Sequence, residues 1–191
     1  MKGVIFTEFL DFIEAQAGYE TVDAIIEAVA PPSDGAYTAV GNYPFGEFAD
    51  LLGMFAQHSG KPAPVILRSF GQHLFRRYVF VFPAFFRDYH DPLDFLETIE
   101  HRIHTEVLKL YPDARLPRLR TERLGKDDLF LQYRSRRPLG ELCLGVIEEC
   151  GKHFNVRLDI SWEAAPDGLD ITIRRVSPAQ AFVTSEAEAL Q

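Results

Sequence analysis

The sequence predicts an α+β fold, with a helical N-terminal lobe packed on a C-terminal lobe that holds a long histidine-bearing helix and a four-stranded antiparallel sheet. Three observations predict it. As far as Phe75 the apolar residues recur at helical spacing. From Asp94 to Tyr111 neither Gly nor Pro interrupts the chain, and Leu96, Ile99, Ile103, Val107 and Leu110 share one helical face. After Pro112 the period changes to two, in short runs separated by turn-forming residues.

The first helix is predicted from Lys2 to Ala17, where Ile5, Phe6, Phe9, Phe12 and Ile13 make a Phe-rich face and Gly18 provides a stop. Thr21 to Ala30 reads as a short second helix, ended by Pro31-Pro32; the Pro-, Ser-, Asp-, Gly- and Asn-containing run to Tyr43 is a loop. Helical periodicity resumes from Pro44 to His58 and again from Pro64 to Phe75. The aromatic run YVFVFPAFF, Tyr78 to Phe86, has Pro83 in its middle and reads as a short kinked helix or turn. Pro92 then opens the long helix, a position proline tolerates because its missing N–H is unused there. Strands are expected at Leu116–Leu124, Leu129–Arg137, Asn155–Trp162 and Leu169–Val176, with a helix at Leu139–Phe154 between the second and third. Residues 1–176 are expected to form one domain, with lobes at about 1–75 and 92–176. The small, acidic residues from Ser177 are expected to fray.

Composition narrows the function classes. The 191 residues carry a net charge of -8, which argues against nucleic acid or an anionic membrane surface as the main partner. The N-terminal stretch is broken by Glu8, Asp11 and Glu14 and is neither a signal peptide nor a membrane span. Cys143 and Cys150 fall seven apart on one helix face, which suits buried thiols in a reducing cytosol better than a disulfide framework. The 16 Phe residues could line a cavity for a large flat ligand or simply fill a core.

Two stretches carry chemistry. On the long helix His104 sits at the edge of the apolar stripe, in line with Glu100, Leu108 and Tyr111, so its ring can reach a cavity; His101 lies toward the polar side. Alone, such a histidine is more often a hydrogen-bonded structural residue. The second stretch is Tyr133-Arg134-Ser135-Arg136-Arg137. On a strand, residues two apart lie about 7 Å from one another on one face, which would put a phenol, a hydroxyl and a guanidinium in file. That row matches a pair of carboxylates, with Arg137 as a charge-assisted clamp. Its bland alternative is a solvated edge strand.

With MKGVIF at the start, FGQHLF around Gly71, HTEVLKLYP followed by Leu116-Pro117, Tyr133-x-Ser135-x-Arg137 and the LxLGxI run after it, the chain resembles the heme nitric-oxide/oxygen-binding (H-NOX) domain over roughly residues 1–176. This is the sensor module also found in soluble guanylate cyclase and as free-standing bacterial proteins. The resemblance implies heme b between the two lobes, His104 as its axial metal ligand, Tyr133, Ser135 and Arg137 on the propionates, and Pro117 packed against the porphyrin. Ile5 is implied as a further cofactor-lining residue. Where oxygen-binding members place a distal tyrosine with polar support, the matching positions here are Leu142, Phe9 and Leu74, none of which can donate a hydrogen bond.

The function so implied is a cytoplasmic, non-enzymatic sensor that binds nitric oxide and excludes O2. NO would weaken or break the bond to His104, and the resulting shift between lobes would be read by a separate partner, a histidine kinase or a cyclic-di-GMP enzyme. A heme enzyme and a heme-free binding domain are the alternatives. Some relatives carry a structural zinc, but the Ser161–Asp170 hairpin has neither Cys nor His, and no zinc is expected. His58, His90 and His153 read as exposed, and His73 as a residue of the lobe–lobe surface.

Overall fold

The computed structural model describes residues 1–176, so the expectation for the tail lies outside the described residues. Four helices, α1 (Gly3–Ala17), α2 (Tyr19–Val29), α3 (Phe45–Ser59) and α4 (Ala63–Val81), build the first lobe. Its core is aromatic: Phe9 lies 4.9 Å from Phe48 and 5.0 Å from Phe70 between ring centroids, in the tilted and edge-on geometries that aromatic quadrupoles favour. Helix α4 is longer than its periodicity predicts. It runs through Tyr78 to Val81, and only then does Pro83 turn the chain into a single 3-10 turn, Pro83–Phe85. Phe75 is part of the second core and the continuing helix packs Tyr78 and Val79 against it, so α4 belongs to both lobes.

The second lobe contains α5 (Pro92–Thr98), α6 (His104–Leu110), α7 (Gly140–His153) and the strands β1 (Arg118–Arg123), β2 (Asp128–Arg134), β3 (Leu158–Ala165) and β4 (Gly168–Arg175). The strands are antiparallel in the order β1-β2-β4-β3. Leu129, Leu131 and Tyr133 of β2 alternate inward and meet Ile171 and Ile173 of β4 beneath Leu144, Ile147 and Cys150 of α7. The Asp91 carboxylate caps α5 by accepting from the Leu93 N–H at 2.8 Å.

The long helix is not uniform. Ile99–Ile103 is a π-helical turn, closed by the His104 N–H donating to the Ile99 carbonyl. An extra residue in a turn advances everything after it by about 100°. Leu110, predicted on the buried stripe, is consequently 60% exposed, whereas His104 rotates inward from the stripe's edge until its side chain is 15% exposed.

The lobes meet where α4 crosses α7 at backbone contact. A Cβ on Gly71 would lie 2.1 Å from the Leu142 carbonyl oxygen, and one on Gly145 2.0 Å from that of Arg68, so neither position has room for a side chain. Beside this crossing Arg68 donates to Glu148 at 2.9 Å and to Glu141 at 3.2 Å.

Candidate functional site

On one side of the inter-lobe boundary the residues are apolar. Phe9 of α1, Leu74 of α4, Ile5 and Leu142 all pack in or against the first-lobe core. Phe9 is fully buried and Leu74 nearly so, and no side chain of the four can donate a hydrogen bond.

The other side is polar and ordered. His104 Nδ1 lies 3.0 Å from Glu100 Oε2, and the same carboxylate oxygen accepts from the Leu119 N–H at 2.9 Å. Glu100 therefore ties the helix to the start of β1, two residues beyond Pro117. Among the described residues His104 Nε2 has no hydrogen-bond partner. Burial lowers the pKa of the ring despite Glu100, which pulls the other way, so the neutral imidazole able to ligate a metal is favoured.

The donors expected in one strand are placed differently. Tyr133 is the last inward residue of β2, 5% exposed, and burial pushes its phenol up to about 12, with the neighbouring Ser135 hydroxyl acting the other way. The strand ends at Arg134, because the Ser135 N–H turns to the Asp167 carbonyl at 2.8 Å. Ser135 and Arg137 thus lie in the turn leading to α7, where the Ser135 hydroxyl accepts from the Arg137 N–H at 3.1 Å. The three side chains remain close neighbours without forming a strand row. Arg134 is no free surface charge either: it donates to Asp170 and to the Leu169 carbonyl.

The sequence reading missed Arg115. Arg137 Nη1 donates to the Arg115 carbonyl at 3.0 Å, and the Arg137 pKa is lowered, by burial first, with Arg115 repelling it in the same direction. Both guanidiniums also help to depress the pKa of the Met1 amine, after its burial. Among the described residues neither Arg115 nor Arg137 has an acidic partner, although the chain carries 28 acidic against 20 basic residues. Two neighbouring cations without an anion, in the same lobe as an imidazole whose Nε2 is unpaired among the described residues, fit a flat hydrophobic group that carries carboxylates and a metal.

Tyr78 was also missed. It lies one turn after Leu74 and packs against both cores; its pKa is raised, chiefly by burial, and its hydroxyl has no hydrogen-bond partner among the described residues. The sequence hid it inside the aromatic run.

His73 departs from expectation. It lies within the first lobe, 5.5 Å from the Phe12 ring, with Nε2 buried and 3.4 Å from Glu8 Oε2 without the alignment of a hydrogen bond. His58, His90 and His153 are exposed as expected. Both cysteines are free; Cys150 is buried and Cys143 partly so. Among the described residues no group of three or more His, Cys, Asp or Glu could hold a metal ion, and no helix is long and apolar enough to cross a membrane.

Residues 2–162 match the family model described as Haem-NO-binding. Among solved structures, the chain is similar to the Fe(II) unliganded H-NOX protein from K. algicida, with 35% identity and a TM-score of 0.86 over 93% of this chain and 97% of that one. It is also similar to the H-NOX protein from S. oneidensis in the Fe(II)NO state, at 26% identity and a TM-score of 0.86, covering 93% and 100%. The IWP-051-bound H-NOX from Shewanella woodyi in the Fe(II)CO state matches at 33% identity and a TM-score of 0.80, covering 93% and 95%. No curated protein matches. The chain belongs to the Haem-NO-binding family, whose H-NOX domains are heme-binding gas sensors.

Proposed function

We propose that this chain is a nitric-oxide sensor that excludes O2, holding heme b between its lobes in a single domain of residues 1–176 and acting in the cytoplasm without catalysis of its own. The observation that carries the reading is the pairing of His104, tied at Nδ1 and free at Nε2, with the carboxylate-free cations Arg137 and Arg115. When bound, heme would supply a ferrous iron able to take up a diatomic gas. His104 Nε2 would hold the iron; Arg137 and Arg115, with the Tyr133 and Ser135 hydroxyls, would hold the propionates; and Pro117 would pack against the ring.

Ile5, Phe9, Leu74 and Leu142 exclude water and offer the gas no donor. O2 carries partial negative charge when held and loses roughly 1–3 kcal/mol without a hydrogen bond, whereas NO depends much less on one. The output is a movement of the His104 helix and β1 against the first lobe, pivoting where α4 crosses α7 and read by a histidine kinase or cyclic-di-GMP enzyme.

The test is exposure of the ferrous protein to air. The spectrum is expected to stay that of the gas-free protein until the iron oxidises. A reversible change on adding O2 would contradict exclusion, and its loss in Tyr78→Phe would identify Tyr78 as the overlooked donor.

A further inference from the structure

One carboxylate oxygen at the proximal side has more partners than helix stability requires. Glu100 Oε2 is taken up by His104 Nδ1 and by the Leu119 N–H, at 3.0 and 2.9 Å. Leu119 is paired with Tyr133 across β1 and β2, so this oxygen links the imidazole to the strand partner of the Tyr133 phenol. Glu100 lies within the π-helical turn Ile99–Ile103, which ends at His104 and aims His104 inward. The Glu100 side chain is 32% exposed and has no Lys or Arg partner among the described residues, so its charge is directed to these two donors.

Resting on the reading that His104 is the axial ligand, we propose that Glu100 is a positioning residue: it fixes the Nδ1–H tautomer of His104, gives Nε2 imidazolate character, and couples the state of the axial bond to β1. A carboxylate accepting from the second nitrogen of a ligating histidine orients the ring and raises its basicity. Nε2 then binds the iron more strongly, so Glu100 opposes release of His104 when NO arrives. Because β1 hangs on the same oxygen, any movement of His104 that carries Glu100 with it pulls on Leu119 and the Tyr133 register.

Two variants of the full heme-loaded chain separate charge from architecture. Glu100→Gln keeps an oxygen that can accept from the Leu119 N–H and removes the anion; Glu100→Leu removes both. The ferrous iron–histidine stretching band in resonance Raman is expected at lower frequency in both variants. Loss of His104 ligation after NO addition, followed by stopped-flow absorption, is expected to be about 10-fold faster. In the heme-free chain, 15N NMR is expected to show one His104 tautomer, protonated at Nδ1, in the parent and a mixture in Glu100→Leu, which keeps no acceptor for that proton.

An unchanged Raman band in both variants, or a shift in Glu100→Leu alone, would overturn the proposal, the latter leaving Glu100 a structural strut. If the parent chain takes up no heme, or His104→Gly keeps the same Raman band, the functional reading itself falls. A heme-free parent with mixed His104 tautomers would then overturn the Glu100 inference separately.

Discussion

The two sides of the inter-lobe boundary are built from opposite materials. The first-lobe side consists of Phe9 and Leu74 from a core of tilted and edge-on phenylalanine rings, with Leu142 of α7 packed against that core, and there is no donor among those three side chains. The second lobe presents His104 held by Glu100, whose carboxylate also accepts from the Leu119 N–H of β1, and separately Arg137, whose N–H donates to the Ser135 hydroxyl just past Tyr133. One side works by what it withholds and depends on shape. The other works by directed polar contacts and depends on atoms in fixed places. Conservative apolar exchanges should therefore be tolerated in the first and isosteric polar exchanges should fail in the second.

The sharpest break of this contrast is His104→Gly. It is expected to abolish protein ligation of the iron and NO-dependent regulation of the partner, with ligation restored by added imidazole; regulation unchanged in the variant would refute the proposed signal path. Next in size is Phe48→Ala, away from the boundary but fully buried against Phe6, Phe9 and Phe70. Urea denaturation should show a loss of about 3–5 kcal/mol, and a loss below 1 kcal/mol would mean that the aromatic core is not tightly packed.

Arg137→Met keeps the length of the side chain and removes the charge. Losing a charged hydrogen bond of about 1.5–3 kcal/mol should speed heme transfer to an acceptor protein roughly 10- to 150-fold. Equal transfer rates would leave Arg137 without its proposed role. Leu142→Tyr would convert the withholding side into a donating one, and should stabilise the O2-bound ferrous protein by about 1–3 kcal/mol; continued indifference to O2 would show that Tyr cannot reach the gas from α7.

The smallest effect concerns Cys143. Burial pushes its thiol up to about 12, so the group stays protonated and unreactive as pH rises through the neutral range. Iodoacetamide at pH 8 should not label it in the folded protein and should label it in urea.

Much of this contrast was legible in the sequence because it rests on local pattern. Helical spacing gave the Phe-rich face of α1, alternation gave β2 and β4, and the residue types at 104, 133, 135 and 137 gave the polar side. What escaped depends on long-range geometry. The π turn at Ile99–Ile103 leaves no signature in hydrophobic spacing, so Leu110 was assigned to the buried stripe and His104 to its edge. The end of β2 at Arg134 is set by the Asp167 carbonyl, 33 residues away in sequence, and Arg115 matters because the turn at Arg137 comes back to it. Tyr78 was obscured because Pro83 suggested an early break, whereas α4 continues to Val81 and takes the phenol to the boundary.

The central claim is that His104 holds a heme iron open to NO on its other face. Absorption spectra of the anaerobically reduced protein and of His104→Gly, recorded before and after NO, test it most directly. The account predicts a five-coordinate ferrous heme in the parent chain that changes on NO addition, and in the variant a gas-free spectrum altered by loss of the axial imidazole. Identical gas-free spectra in the two proteins, or no heme band in the parent even when hemin is supplied during expression, would contradict it.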